Sequence, residues 1–522
     1  MIERILTVGG LTLLSRITGF VRDIVLAAIL GAGPIADAFF VALRLPNHFR
    51  AIFAEGAFNA AFVPAYARIG EQSGPQAVRL FADRIFTLLL ASQIVLLALA
   101  LAFTPAVIRL LAPGFENDPT RFGLAVDLTR ITFPYLLLMT LVTLYGGILN
   151  TLDRFAAPAA APILLNLSMV VALALAVFFP TAGHAAAWGV LIAGCLEALL
   201  VGGHVATIGA LPRLRLPRWD ADVKRFFGAL GPAVIGSAGV QLALFADTII
   251  ASFLATGALS ALYYADRLNQ LPIGVIGIAV GTVILPEMAR RLAAGDEQGA
   301  HDAQNRAIEF TLLLSIPCVV AFLLIPDLIM RALFARGAFT AGDAAAAGAT
   351  LAAYTIGLIP FVLIRTVTAT FLARGDTATP VKAALAAAAV NIGFKFLLMG
   401  PLAQIGLALA TAIGAWVNFA LVLWLALRAG LVRIDGRLKD SAGKLILAGV
   451  LLAALLLPGE RFLRGVLANA PLKDELALLA LAATGGAVYV AAVFALLGRR
   501  WLAGFRPPRI KTSAVIPPHD TQ

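Results

Sequence analysis

The chain has few charged residues. Only 13% of its 522 residues are Asp, Glu, Lys or Arg, whereas 61% are hydrophobic, and the mean hydropathy is +0.93. A water-soluble domain needs a larger polar surface, since about a quarter of the residues in typical globular chains are charged. The composition therefore excludes an ordinary soluble protein and indicates an integral membrane protein.

Cysteine and histidine are also scarce. Cys195 and Cys318 both lie in apolar segments, where a role as a small hydrophobic residue is more common than a disulfide or a reactive thiol. The five histidines have no spacing typical of metal ligands. We therefore expect no metal site and no cofactor.

Long polar loops are missing as well. The longest loops, around residues 211–226 and 429–441, are basic and hold neither paired acids nor a nucleophile beside a base. A membrane enzyme needs such a constellation in a loop, so the pattern argues against an enzyme. No segment outside the membrane is long enough for a nucleic-acid-binding domain.

The chain instead contains long apolar runs. A window of about 20 residues, the length that crosses a bilayer as a helix, finds roughly fourteen of them. Alternate loops, including the one with Arg213, Arg215 and Arg218, hold most of the Lys and Arg outside these runs, and such loops stay in the cytoplasm. The sequence predicts an all-α integral membrane protein with about 14 transmembrane helices and both termini cytoplasmic.

An internal repeat with an offset of about 222 residues organises the chain, as in many transporters. Arg44-Leu45 matches Arg267-Leu268, and Val63-Pro64 matches Leu285-Pro286. Chance similarity between Ala- and Leu-rich helices is the alternative explanation. The predicted domains are an N-lobe of helices one to six (1–208), a C-lobe of helices seven to twelve (209–428), two extra helices (429–498) and a basic cytoplasmic tail (499–522).

Eight basic residues lie inside the apolar runs. They are Arg16, Arg22, Arg44, Arg50, Arg130, Arg267, Arg365 and Lys395. A basic side chain at the middle of a membrane helix costs about 2.5 to 3.5 kcal/mol on insertion scales, so such residues usually face a water-filled cavity or an acidic partner. Pairing with a single acid or extension to the membrane interface remains the alternative, above all for Arg130 and Arg365.

The polar residues of the first lobe have a helical spacing. In a straight helix Asp37, Arg44 and Glu55 share one face, although Pro46 predicts a kink between them. Basic residues outnumber the nearby acids, Asp23, Asp37, Glu55 and Asp266. Guanidinium groups stay charged and direct two donors onto phosphate oxygens. The pattern favours a cavity that binds an anion, and a diphosphate suits it better than a sugar, a peptide or a cation.

Four segments carry a family resemblance. They are Ser15–Asp23 (SRITGFVRD), Ala36–Asn47 (ADAFFVALRLPN), Phe53–Pro64 (FAEGAFNAAFVP) and Tyr263–Leu268 (YYADRL). These segments resemble the signature segments of the MurJ (MviN) lipid II flippases, and the similarity spans nearly the whole chain.

The resemblance implies a fold of the multidrug/oligosaccharidyl-lipid/polysaccharide exporter type in the bacterial inner membrane. It implies transport of lipid II, the undecaprenyl-diphosphate-linked peptidoglycan precursor, from the cytoplasmic to the periplasmic leaflet by alternating access. Lipid II and membrane lipids are the expected partners, together with cell-wall synthesis and division proteins, and we expect a monomer. A flippase for another polyprenyl-diphosphate glycan and a related drug exporter are the alternatives.

The resemblance also assigns roles to residues. The essential cavity arginines of the family fall on Arg16, Arg22, Arg50 and Arg267. Asp37 and Glu55 match important acids, and Asp23, Arg44 and Asp266 lie in the same matched segments. Helices thirteen and fourteen are expected to form a groove for the lipid tail.

One position departs from the family pattern. Some members carry a sodium site built from two acids, an Asn and a Thr; here Asp247, Asn391 and Thr411 match, whereas Lys395 stands at the position of the second acid. We therefore predict that the sodium site is lost, that Lys395 pairs with Asp247, and that membrane potential or another ion gradient drives transport.

Overall fold

The computed structural model describes residues 2–50, 57–216 and 218–503. Within these ranges the chain forms helices and no β-strand. This result confirms the all-α prediction. The described residues include nine helical stretches that are long and apolar enough to cross a membrane.

The described residues of the first half of the chain form eight α-helices. They are α1 (Ile2–Leu30), α2 (Pro34–Arg50), α3 (Ala57–Ala102), α4 (Thr104–Leu111), α5 (Pro119–Thr132), α6 (Pro134–Thr151), α7 (Ala156–Ala174) and α8 (Ala182–Thr207). Short 3-10 helices lie at Pro113–Asn117 and Ala176–Phe178. Proline begins α5 and α6, where its missing N–H leaves no hydrogen bond unmade.

In the second half, nine further helices lie within the described ranges. They are α9 (Ala221–Ser252), α10 (Ala258–Ala293), α11 (Glu297–Leu324), α12 (Pro326–Phe334), α13 (Ala341–Thr355), α14 (Leu358–Leu372), α15 (Ala378–Arg428), α16 (Gly436–Val466) and α17 (Lys473–Ala503). Two helices in the chain are interrupted near their middle, α3 at Gly74 (φ 81°) and α15 at Ala403 (φ 47°). At 1.5 Å per residue, the 46 residues of α3 would be about 69 Å long if straight, more than twice the hydrocarbon thickness of a bilayer.

The helices follow the same order in the two halves. Thr104, Pro119 and Ala156 begin α4, α5 and α7, while Pro326, Ala341 and Ala378 begin α12, α13 and α15, each about 222 residues later. The offset is the one that the sequence matches give.

Packing within each half is closer than packing between them. In the first half α7 packs on α1 and α8, and α2 packs on α5; in the second half α10 packs on α11, α13 and α14. The helices α16 and α17 pack on each other and rest on α11 and α12. Contact between the halves runs mainly through α9 on α3 and α10 on α2, which leaves a cavity beside α1.

Candidate functional site

A cavity of about 400 Å³ lies between the two halves. Four helices line it: α1, α2, α7 and α10. Its polar lining residues are Ser15, Arg16, Arg22, Asp23, Asn47, Asn166, Arg267 and Gln270. Three guanidinium groups and one carboxylate therefore meet in one space inside the apolar part of the protein.

Arg22 is held at the wall of the cavity by two partners. Its Nε and Nη2 donate to Oδ1 of Asp23 at 3.0 and 2.7 Å, and its Nη1 donates to Oδ1 of Asn166 at 2.9 Å. Asn166 in turn donates to the Ser15 carbonyl oxygen and to Thr18 Oγ1. Because Arg22 is only 8% exposed, these bonds fix its position and leave few donors for a ligand.

Asp23 connects the two halves of the chain. Its Oδ1 accepts a hydrogen bond from the Tyr263 hydroxyl at 3.3 Å, and its Oδ2 lies 3.6 Å from Nε of Arg267. Arg267 also donates to the Tyr263 hydroxyl at 3.0 Å, and its guanidinium carbon lies 4.8 Å from the centre of the Tyr263 ring. The Tyr263 ring stacks on Phe40 at 3.9 Å. Arg267 is anchored on one side, yet 42% of its side chain is exposed to the cavity.

Arg16 reaches across the cavity from α1 to α10. Its Nη1 lies 2.7 Å from the position that a Cβ on Gly274 would occupy, so a larger residue at position 274 would displace the guanidinium from its present place. Arg16 has no ion-pair partner among the described residues, and its side chain is exposed. It is the least constrained cation of the cavity.

The charge balance of the cavity is positive. Arg16, Arg22 and Arg267 face a single carboxylate, Asp23, which leaves two positive charges uncompensated. Guanidinium groups with free donors bind phosphate oxygens in forked geometry. The arrangement suits an anion with several oxygens.

Arg44 belongs to a second cluster. Asp37 and Arg44 both face α10, as their seven-residue spacing predicts, but Arg44 lies within electrostatic range of Asp266 and Lys395 and does not line the cavity. Asp266 accepts a hydrogen bond from Gln270 at 3.3 Å. Asp266 therefore connects this cluster to the lining residue Gln270.

Lys395 pairs with Asp247 across α15 and α9, as the sequence predicts. Lys395 is 1% exposed, so its ammonium has little access to water. Thr411 donates to the Leu407 carbonyl oxygen of its own helix, and the amide oxygen of Asn391 has no hydrogen-bond partner among the described residues. An ammonium on the carboxylate does not fit a sodium site here, because it supplies the charge that the ion would bring.

Asp37 lies outside the cavity. It is fully buried, and its two carboxylate oxygens accept hydrogen bonds from Gly257 N at 2.8 Å, Ser260 N at 3.0 Å and Ser260 Oγ at 2.6 Å. These groups form the first turn of α10, so a carboxylate from one half of the chain caps a helix of the other half. Arg121 Nη1 lies 3.9 Å from the same carboxylate. The expectation that Asp37 lines a ligand cavity does not match this position.

Two turns that contain glycine join the halves at the end of the molecule where Asp37 caps α10. Gly114 donates its N–H to Ser252 Oγ at 3.0 Å, and Ala338 donates to the Ala28 carbonyl oxygen at 2.7 Å. A Cβ on Gly114 would lie 2.3 Å from the Ser252 carbonyl oxygen, and one on Gly337 (φ +60°) would lie 2.2 Å from that of Ala28. Each half therefore presses a glycine turn onto the end of the first helix of the other half.

Sequence reasoning assigned no role to several of these residues. Asn166 is a polar residue within the apolar α7, and Tyr263 lies one helical turn before Arg267; both were available signals. Ser260 and Gly257 carry no such signal, since their role depends on the approach of Asp37. Glu55 and the side chain of Arg50 lie outside the described part of the chain.

Comparisons with known proteins identify related transporters. A family model described as Lipid II flippase MurJ matches residues 26–472. A probable lipid II flippase MurJ from Rhizobium meliloti (strain 1021) is 40% identical over 505 residues, which cover 95% of this chain and 94% of the relative. A second, from Rhizobium tropici, is 43% identical over 423 residues and covers 80% and 79% of the two chains.

Solved structures agree on the fold. A lipid II flippase MurJ in an inward closed conformation superposes with a TM-score of 0.78 at 25% identity, and the match covers 94% of this chain and 98% of the other. An inward-facing MATE-family multidrug resistance transporter of the MOP superfamily gives a TM-score of 0.66 at 14% identity, covering 80% of this chain and 95% of that one. The second likeness concerns the fold alone.

Proposed function

Because the chain belongs to the lipid II flippase MurJ family, we propose that it carries lipid II, the undecaprenyl-diphosphate-linked peptidoglycan precursor, from the cytoplasmic to the periplasmic leaflet. Members of this family are transporters and not enzymes, and the chain is a multi-pass protein of the inner membrane. Because of this family membership, lipid II is the first substrate to test.

The positively charged cavity supports this proposal. Arg16 has no ion-pair partner among the described residues, and Arg267 exposes 42% of its side chain. The diphosphate is the part of the substrate that such donors recognise. Arg22, fixed by Asp23 and Asn166, would hold the shape of the site and add charge.

The test is leaflet transfer of purified lipid II by the protein reconstituted in vesicles, with Arg16→Ala and Arg267→Ala compared with wild type. Each substitution removes a cationic contact to phosphate, worth about 1.5 to 3 kcal/mol for a hydrogen bond to a charged group. We expect transfer at low lipid II concentration to fall at least tenfold in each variant.

Arg365→Ala serves as the matched control. Arg365 also lies inside an apolar helix and its Nε also packs against an α10 glycine, 3.0 Å from a Cβ position on Gly277, but it lines a different cavity. If Arg16→Ala and Arg267→Ala insert normally and still transfer lipid II at the wild-type rate, the diphosphate site is elsewhere. If all three variants fail alike, the loss reflects folding.

Transport by alternating access is part of the proposal. The Asp37 cap on α10 and the two glycine turns at Gly114 and Gly337 close one end of the space between the halves. Opening to the periplasm would separate these contacts while the cavity keeps its substrate. This proposed gate predicts that weakening the Asp37 cap shifts the protein towards the open form.

The proposed topology has 14 spans and cytoplasmic termini. Division of α3 at Gly74 and of α15 at Ala403 supports that number, and the basic α8–α9 linker supports the orientation. We propose the lobes 1–208 and 209–428, the helix pair at 429–498 as the lipid-tail groove, and the tail at 499–522 as a cytoplasmic segment. The described part of the tail ends at residue 503.

For energy coupling we propose that sodium is not required. The Lys395–Asp247 ion pair supports this idea, since the ammonium replaces the charge of a bound ion. A diphosphate neutralises the cavity arginines, so the empty carrier returns with positive charge, and an interior-negative potential favours that step by about 2.3 kcal/mol per charge per 100 mV. Sodium-stimulated transfer, or transfer indifferent to the potential, would count against this scheme.

A further inference from the structure

A second cationic space, larger than the central cavity, lies beside the linker between α8 and α9. We name it the linker cleft; its volume is about 600 Å³. Its charged lining residues are Arg79 and Asp83 from α3 and Arg213 and Arg215 from the linker. None of them takes part in the proposed transport site.

The linker is held against α3 in an extended form. The backbone N–H of Arg213 donates to Oδ1 of Asp83 at 2.8 Å, and that of Arg215 donates to Thr87 Oγ1 at 3.0 Å. In an extended chain alternate side chains point to opposite sides. Arg213 and Arg215 therefore share the side of the cleft, while Leu214 and Leu216 share the other side.

The cleft has a surplus of positive charge. Asp83 is the only acid among its described lining residues, and this carboxylate is already bonded to the Arg213 N–H and lies 3.4 Å from Arg215 Nε. Arg79 and the Arg213 side chain have no ion-pair partner among the described residues. A concave space with three guanidinium groups and one occupied carboxylate suits an anion with phosphate oxygens.

The surroundings of the cleft indicate where that phosphate comes from. Leu214 and Leu216 are 68% and 91% exposed, and Trp219, close by in the linker, is 60% exposed. Exposed leucines and a tryptophan that alternate with arginines are typical of a segment at the membrane interface. A dissolved phosphate ion would give these apolar side chains no contact, whereas a lipid bilayer would bury them.

We propose that the linker cleft binds the headgroup phosphate of an anionic phospholipid of the cytoplasmic leaflet, while Leu214 and Leu216 enter the adjacent acyl region. The proposal rests on the cytoplasmic orientation given above, but not on lipid II as substrate. A bound headgroup joins Arg79 on α3 to Arg213 on the linker and so restrains the junction between the two lobes.

The C-lobe contains a counterpart with a smaller surplus of positive charge. Arg84 pairs with Asp220, the N-cap of α9. In the C-lobe Arg306, which lies 222 residues after Arg84, pairs with Asp435, the N-cap of α16, which lies 215 residues after Asp220. The space beside that second linker, about 440 Å³, has His301 at the position equivalent to Arg79, and its Arg374 pairs with Glu297 at 2.7 Å. Its linker side carries Arg433, which has no ion-pair partner among the described residues. The same architecture is thus present twice. Among the described residues, the linker cleft has arginines without ion-pair partners on both of its walls, whereas the second space has such an arginine on its linker side.

The test compares two triple variants of the full-length protein in detergent. Arg79→Gln/Arg213→Gln/Arg215→Gln removes the cleft charges, and Arg218→Gln/Lys224→Gln/Arg225→Gln removes three charges from the same region without touching the cleft lining. Each protein is titrated with dioleoyl phosphatidylglycerol and with dioleoyl phosphatidylcholine, and bound lipid is counted by native mass spectrometry. No lipid II is present, so failure of the flippase assay does not affect the result.

We expect wild type to prefer phosphatidylglycerol. The cleft variant should bind it about a hundredfold more weakly, at about fivefold per arginine, and the control variant should stay within about threefold of wild type. Equal loss in both variants would show that only net charge matters, and unchanged binding in the cleft variant would place the lipid elsewhere. Displacement of the lipid by sodium phosphate at the same phosphate concentration would show a free-phosphate site. Any of these three results overturns the proposal.

Discussion

The cap that Asp37 provides for α10 offers the sharpest test of the proposed gate. Asp37→Ala removes three hydrogen bonds, two to Ser260 and one to Gly257 N, from a fully buried carboxylate. Loss of a helix N-cap costs about 1 kcal/mol, and a buried hydrogen bond to a charged group contributes about 1.5 to 3 kcal/mol. In the open form, hydrogen bonds to water replace part of this stabilisation. We therefore expect the substitution to destabilise the closed form relative to the open form by about 3 kcal/mol, which raises the open-to-closed ratio roughly 150-fold. If the open form makes up about 1% of the wild-type protein, it would become the major form in Asp37→Ala.

Spin labels can report this shift. Thr120 in α5 of the first half and Thr256 in the α9–α10 turn of the second half are both exposed. Arg121 Nη1 donates to the Leu254 carbonyl oxygen at 3.3 Å and so joins these two segments. Cys substitutions at Thr120 and Thr256, with Cys195 and Cys318 replaced by Ala, therefore give a distance between the halves at the closed end. Electron–electron double resonance should show a short distance in the otherwise unchanged protein and a majority of longer distances after Asp37→Ala.

Two controls decide whether the cap is responsible. Asp127→Ala removes an exposed acid from the same half of the chain and should leave the distances unchanged. Ser260→Ala should lengthen them partly by itself but add little to Asp37→Ala, because the two residues share their bonds. Unchanged distances in Asp37→Ala, or full additivity with Ser260→Ala, would refute the role of the cap.

Three further predictions concern coupling, packing and pH. Lys395→Asp places a second acid near Asp247, so we expect the Tm of this variant to be higher in sodium than in potassium. The difference should be absent in wild type and in the control Lys382→Asp, whose substituted residue is exposed. Gly449→Leu should lower the Tm in detergent by the equivalent of about 1 to 3 kcal/mol, because a Cβ at residue 449 would lie 2.7 Å from Ile316 Cγ2. The control Gly443→Leu, on the same helix, should not lower the Tm, because a Cβ at residue 443 would meet nothing within 4 Å. The hydrogen bond from the Arg121 N–H, with further bonds from the Arg121 side chain and Thr120, lowers the pKa of Asp118. The ionised carboxylate therefore stabilises the fold fully at neutral pH; this stabilisation begins to fall near the ordinary Asp pKa of about 3.9 and is lost as the pH falls through the lowered pKa. Asp118→Asn should therefore lower the Tm at pH 7 and have a smaller effect at about pH 3. An Asp118→Asn effect of equal size at both pH values would contradict that assignment.

Some of the site could be predicted from local sequence. Arg16, Arg22, Asp23 and Arg267 stand out because charge in an apolar helix is costly and must face a cavity or a partner, and the structure brings all four to one cavity. The pairing of Lys395 with Asp247 follows from the same rule applied to two apolar helices. These predictions needed only the chemistry of a single side chain and the apolar surroundings of its helix.

Other features could not be predicted in this way. Asp37 has the same sequence context as a cavity acid, yet it caps α10, because Gly257 and Ser260 happen to approach it from 220 and 223 residues away. The close approach of Arg16 to Gly274 depends likewise on how near two separate helices lie to each other. The same is true of the contacts of the turns at Gly114 and Gly337. A periodic pattern reports which face of one helix is apolar, but not which backbone lies opposite.

The sequence by itself determined the membrane class, the all-helical architecture, the repeat and which apolar helices carry charged residues, because transfer free energies and helical periodicity act on each segment alone. The tertiary structure alone decided which charges share a space. It separated Arg44 and Asp37 from the Arg16–Arg267 cavity and left Arg79 and Arg213 in the linker cleft without an ion-pair partner in the described part of the chain. The physical reason is that Coulomb and hydrogen-bond energies depend on distances of a few ångströms between residues far apart in the chain, and only packing sets those distances.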